Sequence, residues 1–254
     1  MKLVLITLLV GACLTQVDWP TATSTKVISQ PIRIKPRQIF DGFKENGGRW
    51  VRYERGRSGL GDCTNIDGGI NDAVFILDSS STLKNVILGP NSIKHVYCIS
   101  NICTIENVWW EDVCKEAIIF EGGSGFLANL YIKGGGAKNG SGNIVQHNSP
   151  GIVYIYNFYV ENSKQLYSPC ENCKTGYQYS RHAFLENVTA SNVETLVGYN
   201  VNYEDVVELR NIQFTGKHVC KIIEGRKDGK EAEVIGYTCD STSISKCTCG
   251  RRLK

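Results

Sequence analysis

Residues 103–123 read CTIENVWWEDVCKEAIIFEGG. Near its start lies a small unit, Ile105-Glu106-Asn107-Val108: apolar, any residue, asparagine, apolar. The unit recurs as Leu83-Lys84-Asn85-Val86, Leu127-Ala128-Asn129-Leu130, Ile155-Tyr156-Asn157-Phe158, Leu185-Glu186-Asn187-Val188 and Leu209-Arg210-Asn211-Ile212. Its asparagines fall at 85, 107, 129, 157, 187 and 211, with steps of 22, 22, 28, 30 and 24 residues. A period of this size marks stacked supersecondary units, none of which buries its apolar face alone. Each unit alternates apolar with other residues and is rich in Val, Ile, Tyr and Phe, a strand pattern. Glycine turns such as Gly122-Gly123 and Gly134-Gly135-Gly136 break the runs. A leucine-rich solenoid needs several leucines per unit, which this chain lacks. The pattern predicts an all-β, single-domain solenoid, a right-handed parallel β-helix with about one coil per repeat. The repeated asparagines then form an amide ladder from coil to coil, or simply mark a turn; neither role is catalytic.

The 254 residues suit one domain, because a solenoid grows by adding coils to the same core. The net charge of +3 is modest and spread out, so nothing calls for nucleic acid, and it is compatible with a polyanionic partner. Met1-Lys2 followed by the apolar run Leu3–Ala12 predicts a secretory signal peptide over residues 1–16, the run being too short to span a bilayer. Val10-Gly11-Ala12-Cys13 also resembles a lipoprotein cleavage site, but nothing later in the chain calls for a membrane anchor. Residues 17–38, with Pro20, Pro31 and Pro36, read as an N-terminal arm, and 39–254 as the solenoid. Removing Cys13 with the leader leaves ten cysteines, an even number that points to disulfides in an exported chain, with the pairing open. Cys170-Glu171-Asn172-Cys173 has the spacing of half a zinc site, but no second such pair lies near, so a disulfide is expected there. Cys247 and Cys249 are expected to staple the tail. Asn139-Gly140-Ser141 and Asn187-Val188-Thr189 are glycosylation sequons, the second overlapping the repeat.

Five further stretches are Ser81–Gly89, Asn107–Cys114, Gly134–Ala137, Gln146-His147-Asn148 and Cys170–Cys173. In order and spacing, over roughly Phe40 to Glu224, they resemble the class III pectate lyases, polysaccharide lyase family 3. That resemblance implies a secreted β-helical enzyme, a monomer, that cleaves polygalacturonate or de-esterified pectin of plant cell walls by calcium-assisted β-elimination. The proton at C5 of a uronate is α to a carboxylate and only weakly acidic. Ca2+ bridging substrate and protein carboxylates would stabilise the enolate-like intermediate. A Lys or Arg takes the proton, and further cations hold the uronate carboxylates. The candidates are Lys164, which matches a family lysine only with one residue inserted, Arg181 and Lys138 for catalysis, each otherwise an exposed structural charge; Lys115 and Trp110 for substrate; and Asp112 and Glu116 for the metal.

The chain departs from the family pattern within these motifs. Where the family carries an aspartate two places before its Ile-His-Cys, this chain has Lys94, and Tyr97 stands in the histidine place. Lys115 replaces an acidic residue, Gly142-Asn143 replace an Asp-Lys pair, and Ser168 stands for an arginine. Asp112 and Glu116 are then either metal ligands or a salt-bridged rim. Of Trp109 and Trp110, which point in opposite directions on a strand, one belongs to the core and one is an exposed aromatic or sugar platform. His147 reads as a packed structural residue and Cys114 as half of a disulfide. The competing reading is a catalytically degenerate relative that binds acidic polysaccharide as a secreted binding protein or effector.

Overall fold

The computed structural model describes residues 17–57, 63, 66, 68–122, 128–173, 178–228, 230–239 and 248–249. The expected leader at 1–16 and the expected staple at Cys247 lie outside the described residues. The rest is a parallel β-solenoid with three faces. The chain visits the faces in rotation, each strand pairing in parallel with the strand one coil earlier.

The first face holds β3 (Ile39–Asp41), the front of β6 (Ser81–Leu88), the front of β8 (Ile102–Trp110), the front of β10 (Asn129–Lys138) and β12 (Gly151–Tyr156). It ends with the first parts of β14 (Arg181–Asn200) and β15 (Val206–Glu224). The second face starts from β1 (Ser24–Val27) and β4 (Val51–Glu54), then takes the back halves of β6, β8 and β10 and the start of β13 (Tyr159–Pro169). The third face stacks β2 (Ile32–Ile34), β5 (Phe75–Leu77), β7 (Lys94–Cys98), β9 (Glu116–Phe120) and β11 (Asn143–His147). The back parts of β13, β14 and β15 complete it. Two antiparallel strands, β16 (Glu233–Thr238) and β17 (Thr248–Cys249), close the far end against β15. The stretch expected as an arm, 17–38, therefore carries β1 and β2 of the first coil, and only its beginning runs outside the barrel.

The corner between the first and second faces decides the shape. Asn85, Asn107, Asn157, Asn187 and Asn211 all sit there in the left-handed region, with φ between 48° and 56°. Asparagine tolerates that conformation better than other residues with a Cβ. The strand turns a corner in a single residue and continues. Two residues before each corner, Leu83, Ile105, Ile132, Ile155, Leu185 and Leu209 form one inward column, in register and almost fully buried. Each such side chain contributes about 1.5–3 kcal/mol of hydrophobic stabilisation.

The amides form the expected ladder. Asn85 donates to Asp41 at 2.9 Å, and Asn107 donates to Asn85 at 2.8 Å. Further along, Asn187 donates to Asn157 at 3.1 Å, and Asn211 to Asn187 at 2.6 Å. Asn129 is not a rung. Register pairs Lys133 with Glu106 and Gly135 with Val108, which places Gly134 (φ 69°) at the corner. Asn129 opens its strand, paired with Ile102. The ladder is therefore broken at Gly134, and Trp109 Nε1 donates instead to the side-chain oxygen Oδ1 of Asn107 at 2.8 Å. A second, shorter ladder that the repeat did not reveal stands at the next corner. There Asn139, Asn162 and Asn192 are again left-handed, and Asn192 donates to Asn162 at 2.8 Å.

Cys63–Cys114, Cys98–Cys103 and Cys170–Cys173 are disulfides, and Cys220 and Cys239 are each disulfide-bonded. Cys114 and the Cys170–Cys173 pair thus take the structural role expected of them.

A Cβ at Gly134 would meet nothing nearer than the Asn107 nitrogen at 3.9 Å, whereas one at Gly135 would lie 2.0 Å from the Val108 carbonyl oxygen. Gly134→Asn should therefore join the two halves of the first ladder and raise stability by about 0.5–1 kcal/mol. Gly135→Ala should lower it by roughly 2 kcal/mol or more. Urea midpoints of the two variants check both signs.

Candidate active site

The outer surface of the third face collects most of the charged residues that sequence singled out. Inward positions are apolar: Val96, Ile118, Val145, Tyr167, Val197 and Cys220 lie in register against the core. His147 belongs to that interior as well. Its Nδ1 is 2.9 Å from the Tyr167 hydroxyl, and its ring stacks on Phe120 at 5.2 Å. The alternating positions face out. At the early coils a short 3-10 turn, Ile70–Asp72, lies beside a small apolar patch of Ala73, Ile76, Tyr97 and Ile119. Beyond that patch the surface is polar.

Lys94 and Glu116 are direct strand partners, and their side chains form an ion pair. Only 7% of the Lys94 side chain and 20% of the Glu116 side chain is exposed. Next to them, Asn143 donates to Gln146 at 2.8 Å, and Gln146 donates to Asn148 at 2.9 Å. Further along, Glu171 accepts from Ser168 at 3.1 Å and from Lys221 at 2.9 Å.

Lys115 and Lys164 stand two coils apart, with the Ser141-Gly142 turn of the intervening coil between them. The Lys164 amide donates to the Gly140 carbonyl at 2.8 Å, and a Cβ at Gly142 would lie 2.4 Å from the Lys115 carbonyl. At about 4.8 Å per coil, the two backbones are roughly 10 Å apart. Lys164 is exposed and lines a groove of about 450 Å³ with Asn162, Asn192, Glu194 and Lys217.

The other nominated residues lie elsewhere. Trp110 is wholly buried and packs on Phe158 at 6.3 Å, out of reach of any polysaccharide. Trp109 faces outward, but on the second face, where Trp19 of the N-terminal stretch covers it at 4.8 Å. Lys138 is on the same second face, 4.1 Å above the Trp19 ring and 3.6 Å from Glu161. Arg181 is fully buried and donates to the Tyr179 and Asn148 carbonyls, each at 2.7 Å. It therefore holds the end of the Asn143–Gln146–Asn148 chain rather than meeting solvent. Asp112 occupies the second corner and hydrogen-bonds Asn139, and burial raises its carboxyl. Asp112 and Glu116 are thus on separate networks. Sequence reading missed the Glu171–Lys221 pair, because its members are 50 residues apart and meet only through coil register.

Residues 16–230 match the family described as pectate lyase. The chain belongs to the pectate lyase family. It is 39% identical over 219 residues to a probable pectate lyase F of Aspergillus terreus, covering 86% of this chain and 88% of that one. It is 38% identical over 236 residues to pectate lyase E of Emericella nidulans, covering 90% and 86%. Its fold matches a pectate lyase of Erwinia chrysanthemi crystallised with tetragalacturonic acid, with a TM-score of 0.62 and 22% identity over 84% of this chain and 67% of that one. Membership makes the chain a polysaccharide lyase, and no helix among its described residues is long and apolar enough to cross a membrane.

Beneath the charged face of this pectate lyase family member, the buried groups His95, His147 and Asp205 have opposing effects. Burial holds His95 down at about 4 and His147 well below its ordinary value, the latter aided by Arg181. Both fold as neutral imidazoles. Between about pH 4 and 6.5 the unfolded chain binds more protons at these sites, so they make stability rise with pH. Burial raises Asp205 to about 6 against the hydrogen bonds it accepts from Asn200 and Arg181, so it makes stability fall as pH rises from about 4 to 6. Two histidines outweigh one carboxyl. The urea midpoint should drop as pH is lowered from 6.5 to 4.5, and Asp205→Asn should make that drop steeper.

Proposed function

We propose that the chain is a secreted class III pectate lyase, of polysaccharide lyase family 3, that cleaves polygalacturonate or de-esterified pectin by β-elimination as a monomer. The observation that carries this reading is the placement of Lys115 and Lys164 two coils apart at the entry to the third face, beside the Lys94–Glu116 pair. A polyuronate presents a carboxylate on every sugar. Lysines at fixed spacing along one face bind such a chain by charge-assisted contacts. Membership of the family and a structural neighbour crystallised with tetragalacturonic acid support the same substrate class.

The reaction asks for two things. A base takes the proton at C5, the electron pair left behind forms the C4–C5 double bond, and the glycosidic oxygen leaves C4 and takes up a proton from water. Lys164, exposed and bordering the groove, is the base in this reading. Lys115 holds a neighbouring uronate. Arg181 acts by fixing Asn148, and Lys138 by pinning Trp19 to the second face.

The calcium ion implied by the resemblance needs six to eight oxygens around one point. Glu116 is engaged by Lys94, Asp112 by Asn139, and Glu171 by Lys221. Among the described residues no group of three His, Cys, Asp or Glu side chains is placed to hold a metal. This donor set does not fit a calcium ion.

Incubation with polygalacturonate should release unsaturated product, seen as a rise in ultraviolet absorbance. Lys164→Gln should lower kcat by about 10²–10⁴-fold with the fold intact. Folded wild-type protein that forms no product would overturn the reading.

A further inference from the structure

The Lys94–Glu116 pair lies at the boundary between the apolar patch and the polar part of the third face, and there the chain departs from the calcium chemistry that its resemblance implies. This inference rests on the lyase reading above and concerns the source of positive charge on that face.

A lysine with 7% of its side chain exposed is unusual and requires a partner. Lys94 has one, the Glu116 carboxylate on the next strand. A buried ion pair of this kind is no more stabilising than two well-packed apolar residues. Its neighbours show that apolar residues fit this surface: Ile76, Tyr97 and Ile119 pack together nearby on the same face. A charge retained at the edge of such a patch points to a use for the charge itself. The ammonium lies against the carboxylate that would otherwise be a ligand, and a second positive charge at that spot would meet repulsion in a poorly solvated place. Asp112, on the adjoining corner, is drawn away by Asn139.

We infer that Lys94 is the resident cation of this lyase: its ammonium, held on Glu116, stands in place of a metal ion, and no calcium binds at Glu116. An ammonium carries one charge and polarises a carboxylate less than a divalent ion. Lys94 therefore fills the cation's place at Glu116 with a fixed charge, three coils and about 14 Å of backbone before Lys164, and takes no part in the proton transfer there.

Titration calorimetry with calcium chloride on the intact wild-type chain, without substrate, is the first arm. It should give no saturable heat at millimolar calcium, and calcium should leave the Tm unchanged. Lys94→Asp places two carboxylates on adjacent strands and should acquire a calcium-dependent rise in Tm of several degrees that a chelator reverses. Lys94→Gln keeps the size and removes the charge, and serves if the aspartate variant does not fold. It should show weaker but measurable calcium binding. In the second arm, wild-type product formation should stay within about twofold after chelation. Saturable calcium binding by wild type that Glu116→Gln removes would overturn the inference, as would loss of product on chelation. A chain that follows the calcium-binding pattern but makes no product under any condition would overturn the proposed function and leave the assignment of Lys94 as the resident cation standing.

Discussion

One backbone constraint shapes the solenoid. At the corner between the first two faces the chain must adopt a left-handed conformation for a single residue, and glycine and asparagine are the side chains that accept it at low cost. Asparagine adds an amide that bonds the same amide on the next coil, so the bend and the coil stacking are specified by one residue. The adjacent inward column of Leu and Ile then follows at a fixed offset, and the core grows coil by coil. The second ladder, at Asn139, Asn162 and Asn192, repeats the device at the next corner and takes in Asp112 as a neighbour.

That regularity turns a sequence count into a surface. Because each strand of the third face lies directly over the last, residues far apart in the chain fall into adjacent positions on one side. Lys94 meets Glu116 this way, and Glu171 meets Lys221. The interior supplies the rigidity: His147 between Phe120 and Tyr167, and Arg181 bonded to main-chain carbonyls, hold the polar chain from Asn143 to Asn148 from below. The second face is given over to packing, with Trp19 lying across Trp109 and Tyr159.

The chemistry of the third face reads differently from that of a carboxylate-lined metal site. Glu116 and Glu171 are matched by lysines, and Asp112 at its edge by an asparagine, while Lys164 remains exposed at the groove. Spaced ammonium groups of this kind suit a polyanionic chain, and at Glu116 the positive charge is that of the Lys94 ammonium.

The repeat, the strand periodicity and the apolar position two residues before each asparagine are legible in the chain, because they follow from side-chain alternation and from the few residues that tolerate a left-handed corner. The register error at Asn129 has the same origin: glycine satisfies the corner at Gly134 without leaving an asparagine to be counted, so a nearby asparagine passes for the rung. Sequence alone also names Lys115, Lys164, Asp112 and Glu116 as the residues to examine, and places His147 and Cys114 in structural roles. It has no means to separate Trp109 from Trp110, since alternation says they differ in direction but not which way is in. Nor does it show that Arg181 is buried, that Lys138 belongs to another face, or that Asp112 and Glu116 bond to different partners. Those outcomes depend on which residues are stacked one coil above or below, a distance of about 4.8 Å in space and of 22 to 30 residues along the chain, and only the tertiary structure sets that register.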